Sequence, residues 1–198
     1  MRRVNQILKS IFDYIVAGIS LILLLPIFII IGILIKIYSK GPIFFKQERL
    51  GKNGKVFKIY KFRTMVDNAI NLGKGLSIQK NDSRITKIGN FLRKTSLDEL
   101  PQFINILRGE MSFVGPRPPV PYHPYKYENY TNQKRKRFLM RPGVTGLAQI
   151  SGRNNLTWDE RIEFDIKYID KFNFFYDMKI LLKTIKKVFF KEGIDFNK

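Results

Sequence analysis

Asp98 and Glu99 stand side by side in the stretch SLDELPQ, residues 96–102, of a 198-residue chain whose formal net charge is +20. Adjacent carboxylates can supply a nucleophile and a metal ligand, or they can do no more than cap a helix. Ser96-Leu97-Asp98-Glu99 fits the S-x-x-E capping box, in which serine and glutamate satisfy free amides at a helix N-terminus. That register makes Pro101 the fifth helical residue, where its missing N–H removes an intrahelical bond. A helix beginning at Asp98 puts Pro101 in the first turn and both carboxylates at the positive end, which favours their ionised forms. The stretch by itself leaves cap and chemistry both open.

Arginines gather beside Pro and Gly in three places: Arg117 in GPRP, Arg141 in RPG and Arg153 in SGR. The guanidinium is a planar fork of donors that matches phosphate oxygens, and a rigid turn holds such a fork still. With Asp98-Glu99 they point to a polyphosphate ligand and a divalent cation, carboxylates and phosphates sharing Mg²⁺. Thirty-six Lys and Arg against sixteen Asp and Glu also imply anionic partners: nucleic acid, anionic lipid or a phosphorylated substrate. The chain has no cysteine, which excludes disulfides and thiolate chemistry. Its one histidine, His123, argues against a His-based zinc site or a Ser-His-Asp triad.

The elements that must carry these residues follow from patterning. From Ile11 to Ile35, about 25 residues, the only charge is Asp13, and about 20 apolar residues suffice to cross a bilayer. No polar stripe marks the run as a buried soluble helix, and it is too long for a signal peptide. Basic residues flank both ends, Arg2, Arg3 and Lys9 on one side and Lys36 and Lys40 on the other, so charge does not orient it. Pro26 near the middle permits either a kinked spanning helix or a helix–break–helix that enters and leaves by one face. Asp13 fits the second, since an acid near the membrane surface costs less than one at depth.

Beyond residue 40, PIFFKQERL and KVFKIYKFRTM flank Gly51-Lys52-Asn53-Gly54 and predict a β-hairpin whose second strand is mixed on both faces. Residues 67–90 are polar and irregular and predict a mobile loop. IGNFLRKTS and QFINILRGEM predict short helices, the second ending near Gly109; VGPRPPVPYHP must be extended or turned. WDERIEFDIKYIDKF predicts an amphipathic helix. The last helix, Phe174 to Lys191, sets Met178, Leu181, Leu182, Ile185 and Phe189 against Lys179, Lys183, Lys186, Lys187 and Lys191. It suits anionic lipid or a core with solvated lysines equally well.

KIYKFRTM, RKTSLDELPQFINILRGEMSFVGPRP and RPGVTGLAQISGRN resemble the bacterial sugar transferases, the monotopic polyprenol-phosphate phosphoglycosyl transferases whose small members are the bacillosamine-type enzymes. The likeness runs in order over nearly the whole chain and implies a minimal catalytic unit. It implies an α+β architecture: a re-entrant membrane helix–break–helix over residues 1–40, broken at Pro26, then a small cytoplasmic globular domain, residues 41–198, with the hairpin and interfacial amphipathic helices. Many small members carry Ser before this proline, where this chain has Leu25. The implied reaction moves a sugar-1-phosphate from a UDP-sugar to undecaprenyl phosphate, releasing UMP, at the cytoplasmic face of the bacterial inner membrane. Asp98 is the implied nucleophile, forming a covalent phosphosugar intermediate, with Glu99 its partner and both at Mg²⁺. Lys61, Arg63, Arg93, Arg117, Arg141 and Arg153 are the basic residues expected to hold substrate. An N-acetylated sugar is expected by similarity to the small members, although nothing in PPVPYHPYKYENY or the 67–90 loop names one. The competing class is a membrane-anchored basic module that binds nucleic acid or anionic lipid; it leaves the acid pair unexplained.

Overall fold

The computed structural model describes residues 2–72, 82–152 and 155–190. The chain begins with α1 (Arg2–Leu23) and α2 (Leu25–Tyr38), separated by a break at Leu24. Pro26 lies in the first turn of α2, where its missing N–H interrupts no bond. The break thus falls two residues ahead of the proline expected to cause it. Leu24 N–H still donates to Ser20 O and Phe28 N–H to Leu24 O across the junction.

Each helix has its own seat on the rest of the protein. On α1, residues four apart are buried in a line: Lys9, Asp13 and Ala17. Lys9 Nζ donates to Asp177 Oδ2 at 2.5 Å and to Val114 O at 2.8 Å. Asp13 accepts from Phe113 N–H and from Arg141 Nη2, both at 3.1 Å. Asp13 is buried within the protein, 1% exposed, where these two donors of the domain meet it. On α2, Ile31 and Ile35 join Phe62 and Leu92 in one hydrophobic cluster, with Phe28 packed edge-on against Phe62. Arg63 closes the end of α2 by donating to Ser39 O and Lys40 O. Packing thus runs across residue 40, while none of residues 18–30 is buried.

The hairpin forms as patterned. Strand β1 (Phe44–Leu50) pairs antiparallel with β2 (Val56–Phe62), Phe44 opposite Phe62 and Leu50 opposite Val56. Asn53 and Gly54, at φ 56° and 76°, turn the chain. The mixed faces of β2 resolve by depth: Phe57 and Ile59 enter the main core, and Phe62 meets α2 on the other side. The 67–90 segment is more ordered at its ends than expected, with a 3₁₀ turn at Ala69–Asn71 and helix α3 (Lys87–Thr95) capped by Thr86; residues 73–81 lie outside the described residues. Gly89 lets α3 press on the end of β2, since a Cβ there would come within 1.9 Å of Thr64 O.

Helix α4 (Gln102–Leu107) follows, ending at Gly109 with φ 72°. Strand β3 (Ser112–Val114) pairs parallel with β4 (Gly143–Thr145); between them the basic run folds into α5 (Asn132–Arg135) and a 3₁₀ turn. Helices α6 (Leu147–Ser151), α7 (Trp158–Lys171) and α8 (Phe174–Phe189) complete the fold. A Thr157–Glu160 capping box starts α7. Ile106, Met111, Val114, Tyr168, Ile169 and Ile180 form the main core, which takes in Ala17 of α1. Helix α8 divides its expected apolar face. Leu181 packs on the core, whereas Leu182 and Ile185 are 67% and 53% exposed. The Lys9–Asp177 pair fixes that rotation by pulling Asp177 and Ile180 inward. Lys191 lies outside the described residues.

Candidate active site

The acid pair occupies a corner between α3 and α4. Ser96 takes a left-handed conformation, φ 57°, and ends α3; Leu97–Glu99 form a single 3₁₀ turn; Pro101 precedes α4. Ser96 makes no side-chain cap, so the capping-box alternative is not what forms. The helix starts later than Asp98, at Gln102, and Pro101 costs it no bond. Leu97 and Leu100, on either side of the acids, pack into the α2–Phe62–Leu92 cluster. Hydrophobic burial of these neighbours holds the half-buried Asp98 and Glu99 toward a cleft of about 1060 Å³.

Seven basic side chains line that cleft against three acids. From β2, Lys61 places Nζ 2.5 Å from Glu99 Oε1. From α3, Arg93 donates Nε to Thr64 Oγ1 at 2.8 Å. From the turn after β3, Arg117 faces the cleft; its own carbonyl accepts from Arg137 Nη2 at 2.8 Å. Arg137 is itself buried against Asp165 at 2.6 Å, so the GPRP turn is pinned from behind. From β1, Arg49 donates to Pro118 O at 3.0 Å and to Gln47 Oε1 at 2.6 Å.

The two acids are driven apart electrostatically. Burial, foremost, pushes Asp98 up to about 6, aided by the neighbouring Glu99 and opposed by Lys61 and Arg93. For Glu99 burial also acts upward, but Lys61, Arg117 and Arg49 together outweigh it and hold the group down at about 2. The expectation that a helix terminus favours both ionised forms is corrected accordingly: facing cations, not a helix end, hold Glu99 ionised, and burial works against Asp98. Burial and the facing Arg117 lower Arg49 to about 10. Burial also lowers Arg93. A cleft that holds so many cations close together is short of negative charge, which is the condition for binding a polyanion.

Of the predicted site residues, Asp98, Glu99, Lys61, Arg93 and Arg117 come together around this cleft. Arg63 borders it too, but its two terminal nitrogens serve the carbonyls at the end of α2. The structure does not bring Arg141 to the cleft: it donates to Asp13 and to Ser10 Oγ on α1. Arg153 lies outside the described residues. Sequence reasoning passed over Arg49 and Gln47. The available signal was strand parity, since two polar residues two apart share a half-buried face of β1. Among the described residues no group of three or more His, Cys, Asp or Glu could cage a metal. Two carboxylates fit Mg²⁺, which is usually held by one or two protein carboxylates together with phosphates and water.

A cationic cleft beside an acid pair, on a domain that seats a long apolar N-terminal helix, is the arrangement of a membrane-associated protein suited to an anionic ligand. The chain belongs to the bacterial sugar transferase family, which it matches over residues 4–191. It is 43% identical over 195 residues to a UDP-glucose:undecaprenyl-phosphate glucose-1-phosphate transferase of Klebsiella pneumoniae, covering 96% of this chain and 42% of that protein. It is 43% identical over 191 residues to the uncharacterized sugar transferase EpsL of Bacillus subtilis (strain 168), covering 96% and 91%. To an undecaprenyl-phosphate galactose phosphotransferase of Salmonella typhimurium it is 38% identical over 206 residues, covering 97% and 42%. The chain therefore spans about two fifths of the Klebsiella and Salmonella relatives and nearly all of the Bacillus one. The bacillosamine-type subgroup finds no counterpart in these three names.

Proposed function

We propose that the chain transfers a sugar-1-phosphate from a UDP-sugar to undecaprenyl phosphate at a membrane surface, in two displacements through Asp98. The observation that carries this is the placement of the pair: adjacent carboxylates at one cleft lined by arginines, Glu99 tied to Lys61 Nζ at 2.5 Å and Asp98 left beside it. In the first displacement an Asp98 carboxylate oxygen bonds to the sugar-bearing phosphorus, and the bond to the bridging oxygen breaks, releasing UMP. In the second, an oxygen of undecaprenyl phosphate bonds to the same phosphorus and Asp98 leaves, giving undecaprenyl-diphosphate sugar. The acceptor is already an anion, so no strong general base is required, which suits a chain with one histidine.

Asp98 and Glu99 are the residues that would hold Mg²⁺, which when bound supplies charge neutralisation for the diphosphate. Lys61 fixes Glu99, and Arg117 and Arg49 face the same acid, so they stand where charge grows on the departing UMP. Glucose and galactose appear in the relatives' names, and a UDP-hexose is the donor we propose to test first. We also assign the α1–α2 segment as a re-entrant anchor with both ends on the cytoplasmic face, supported by both helices seating on one domain.

The test is to supply UDP-sugar and Mg²⁺ without lipid acceptor. Up to one equivalent of UMP is expected, with a protein mass gain of one phosphosugar, mapped to the Asp98 peptide and missing in Asp98→Asn. An adduct on another residue, or UMP release that strictly requires both substrates together, would sink the two-step route.

A further inference from the structure

Gln149 borders the cleft from α6, with Thr145 and Thr184 also in the lining. Its Oε1 and Nε2 are both buried, and among the described residues neither has a hydrogen-bond partner. Arg49 and Arg63 also line the cleft with an unpaired Nε, yet each commits its remaining nitrogens to oxygen acceptors. Gln149 commits nothing. A buried amide with both ends unpaired is destabilising, and natural proteins seldom keep one without a ligand, water or ion to complete it. As it lies the amide is closed even to water, so a ligand in the cleft meets it when the half-buried side chain turns outward. Gly146, pressed on Gly115 so closely that a Cβ would come within 2.2 Å of Gly115 O, also leaves room for the amide oxygen, which such a Cβ would approach to 2.9 Å.

The pair of unpaired atoms limits the complementary ligand; a sugar's vicinal diol can meet both on two rotating hydroxyls, and a rigid planar group can meet both at once. A primary carboxamide presents an acceptor and a donor on one edge, and a single group that satisfies both must present a donor and an acceptor side by side. A cis-lactam does so: the N3–H and adjacent carbonyl of uracil. An N-acetyl substituent is a trans amide, whose N–H and C=O point in opposite directions, so it can meet one atom of Gln149 and not both. We infer that Gln149 reads the lactam edge of the uracil ring, and is the specificity residue for the nucleotide half of the donor. This rests on the UDP-sugar reading of the site. It sets the base end of the cleft at α6, next to the GPRP turn that carries Arg117.

The test uses the full-length chain in lipid nanodiscs with UDP and N3-methyl-UDP as probes; neither carries a sugar, so an acetamido source cannot contribute. Calorimetric titration of the wild type should give UDP binding tighter than N3-methyl-UDP by on the order of ten- to hundredfold, the range of a bidentate amide–base pair. Gln149→Ala should bind both alike, with the difference closing from the UDP side. Gln149→Leu, which fills the site without polar atoms, repeats the test if the alanine variant does not fold, and should melt no lower than wild type when ligand-free. Discrimination that survives in the variants overturns the inference and leaves the donor class standing. An unchanged UDP affinity, with loss only of preference for an N-acetylated UDP-sugar, assigns the amide to the sugar and also overturns it. Failure of the wild type to bind UDP at all overturns both this inference and the proposed donor.

Discussion

As the proposed nucleophile Asp98 must be a carboxylate to attack phosphorus, so the upward shift that burial gives it, to about 6, predicts an acid limb of activity. Burial and Glu99 raise it from 3.8, which leaves it largely ionised at pH 7 and protonated below 6, whereas Glu99 at about 2 stays charged throughout. For the free enzyme, log kcat/KM should fall with unit slope below about pH 6. A limb near 4, the ordinary aspartate value, would mean that burial does not raise Asp98 in the working enzyme. Lys61 is the strongest downward influence on both acids, so Lys61→Met should move the limb to higher pH besides lowering the rate. A simple loss of rate with an unmoved limb would restrict Lys61 to binding. Arg117 tests the phosphate end. Its turn is held from behind by the buried Arg137–Asp165 pair, so truncation should not let the backbone drift. Arg117→Ala should lower kcat/KM by about 2–4 kcal/mol in barrier terms, the usual worth of a preorganised charge at a reacting oxyanion. Near-normal kinetics in a folded variant would remove Arg117 from the site.

At the scale of elements, what could be read from sequence is what lies in short contiguous runs. The hairpin, α3, α4 and α7 follow from local period and punctuation, and Asp98, Glu99, Lys61 and Arg93 lie in or next to these elements, while Arg117 follows β3 in the GPRP turn. Facing is harder, because a Pro/Gly turn immobilises an arginine without saying what it points at. Arg117 and Arg141 look alike in sequence, but one opens on the cleft and the other on α1, and the difference depends on where a helix more than 100 residues away is laid down. Asp13 shows the converse. Its acid was legible, while its partners, Phe113 N–H and Arg141, are visible only in three dimensions. Arg141→Ala should therefore act on stability. It leaves Asp13, 1% exposed, with its ion pair gone, which costs about 3 kcal/mol when one member of a buried pair is removed. Thermal unfolding should shift down, and Asp13→Asn should recover much of the loss in the double variant. Donor KM should stay put in the folded fraction. A raised KM at unchanged melting temperature would return Arg141 to the substrate site.

For the whole molecule the question is how deep the anchor goes, and the same ion pairs bear on it. Residues 18–30 have no buried member, and 13 helical residues measure roughly 20 Å, short of the ~30 Å hydrocarbon core. In the proposed re-entrant arrangement, with the break at Leu24 inside that stretch, each limb would reach about 10 Å, within one leaflet. A spanning arrangement would need α1 to leave its seat, separating Lys9 from Asp177 and Asp13 from Arg141 at several kcal/mol per buried pair. It would also strip Ala17 from the main core. The exposed Phe175, Leu182 and Ile185 of α8, beside Lys179, Lys183 and Lys186, suit a helix resting on an anionic headgroup layer. Topology is directly measurable because the chain has no cysteine of its own. Single cysteines at Arg3 and at Lys40 should both be protected from a membrane-impermeant thiol reagent in intact cells, and both should react once the cells are permeabilised. Reaction of Arg3→Cys alone from outside would make α1 a spanning helix. Because that topology parts Lys9 from Asp177, the same cells should then show Lys9→Met leaving the protein's melting temperature unchanged. In the re-entrant arrangement Lys9→Met leaves Asp177 buried without its cation, and the melting temperature falls.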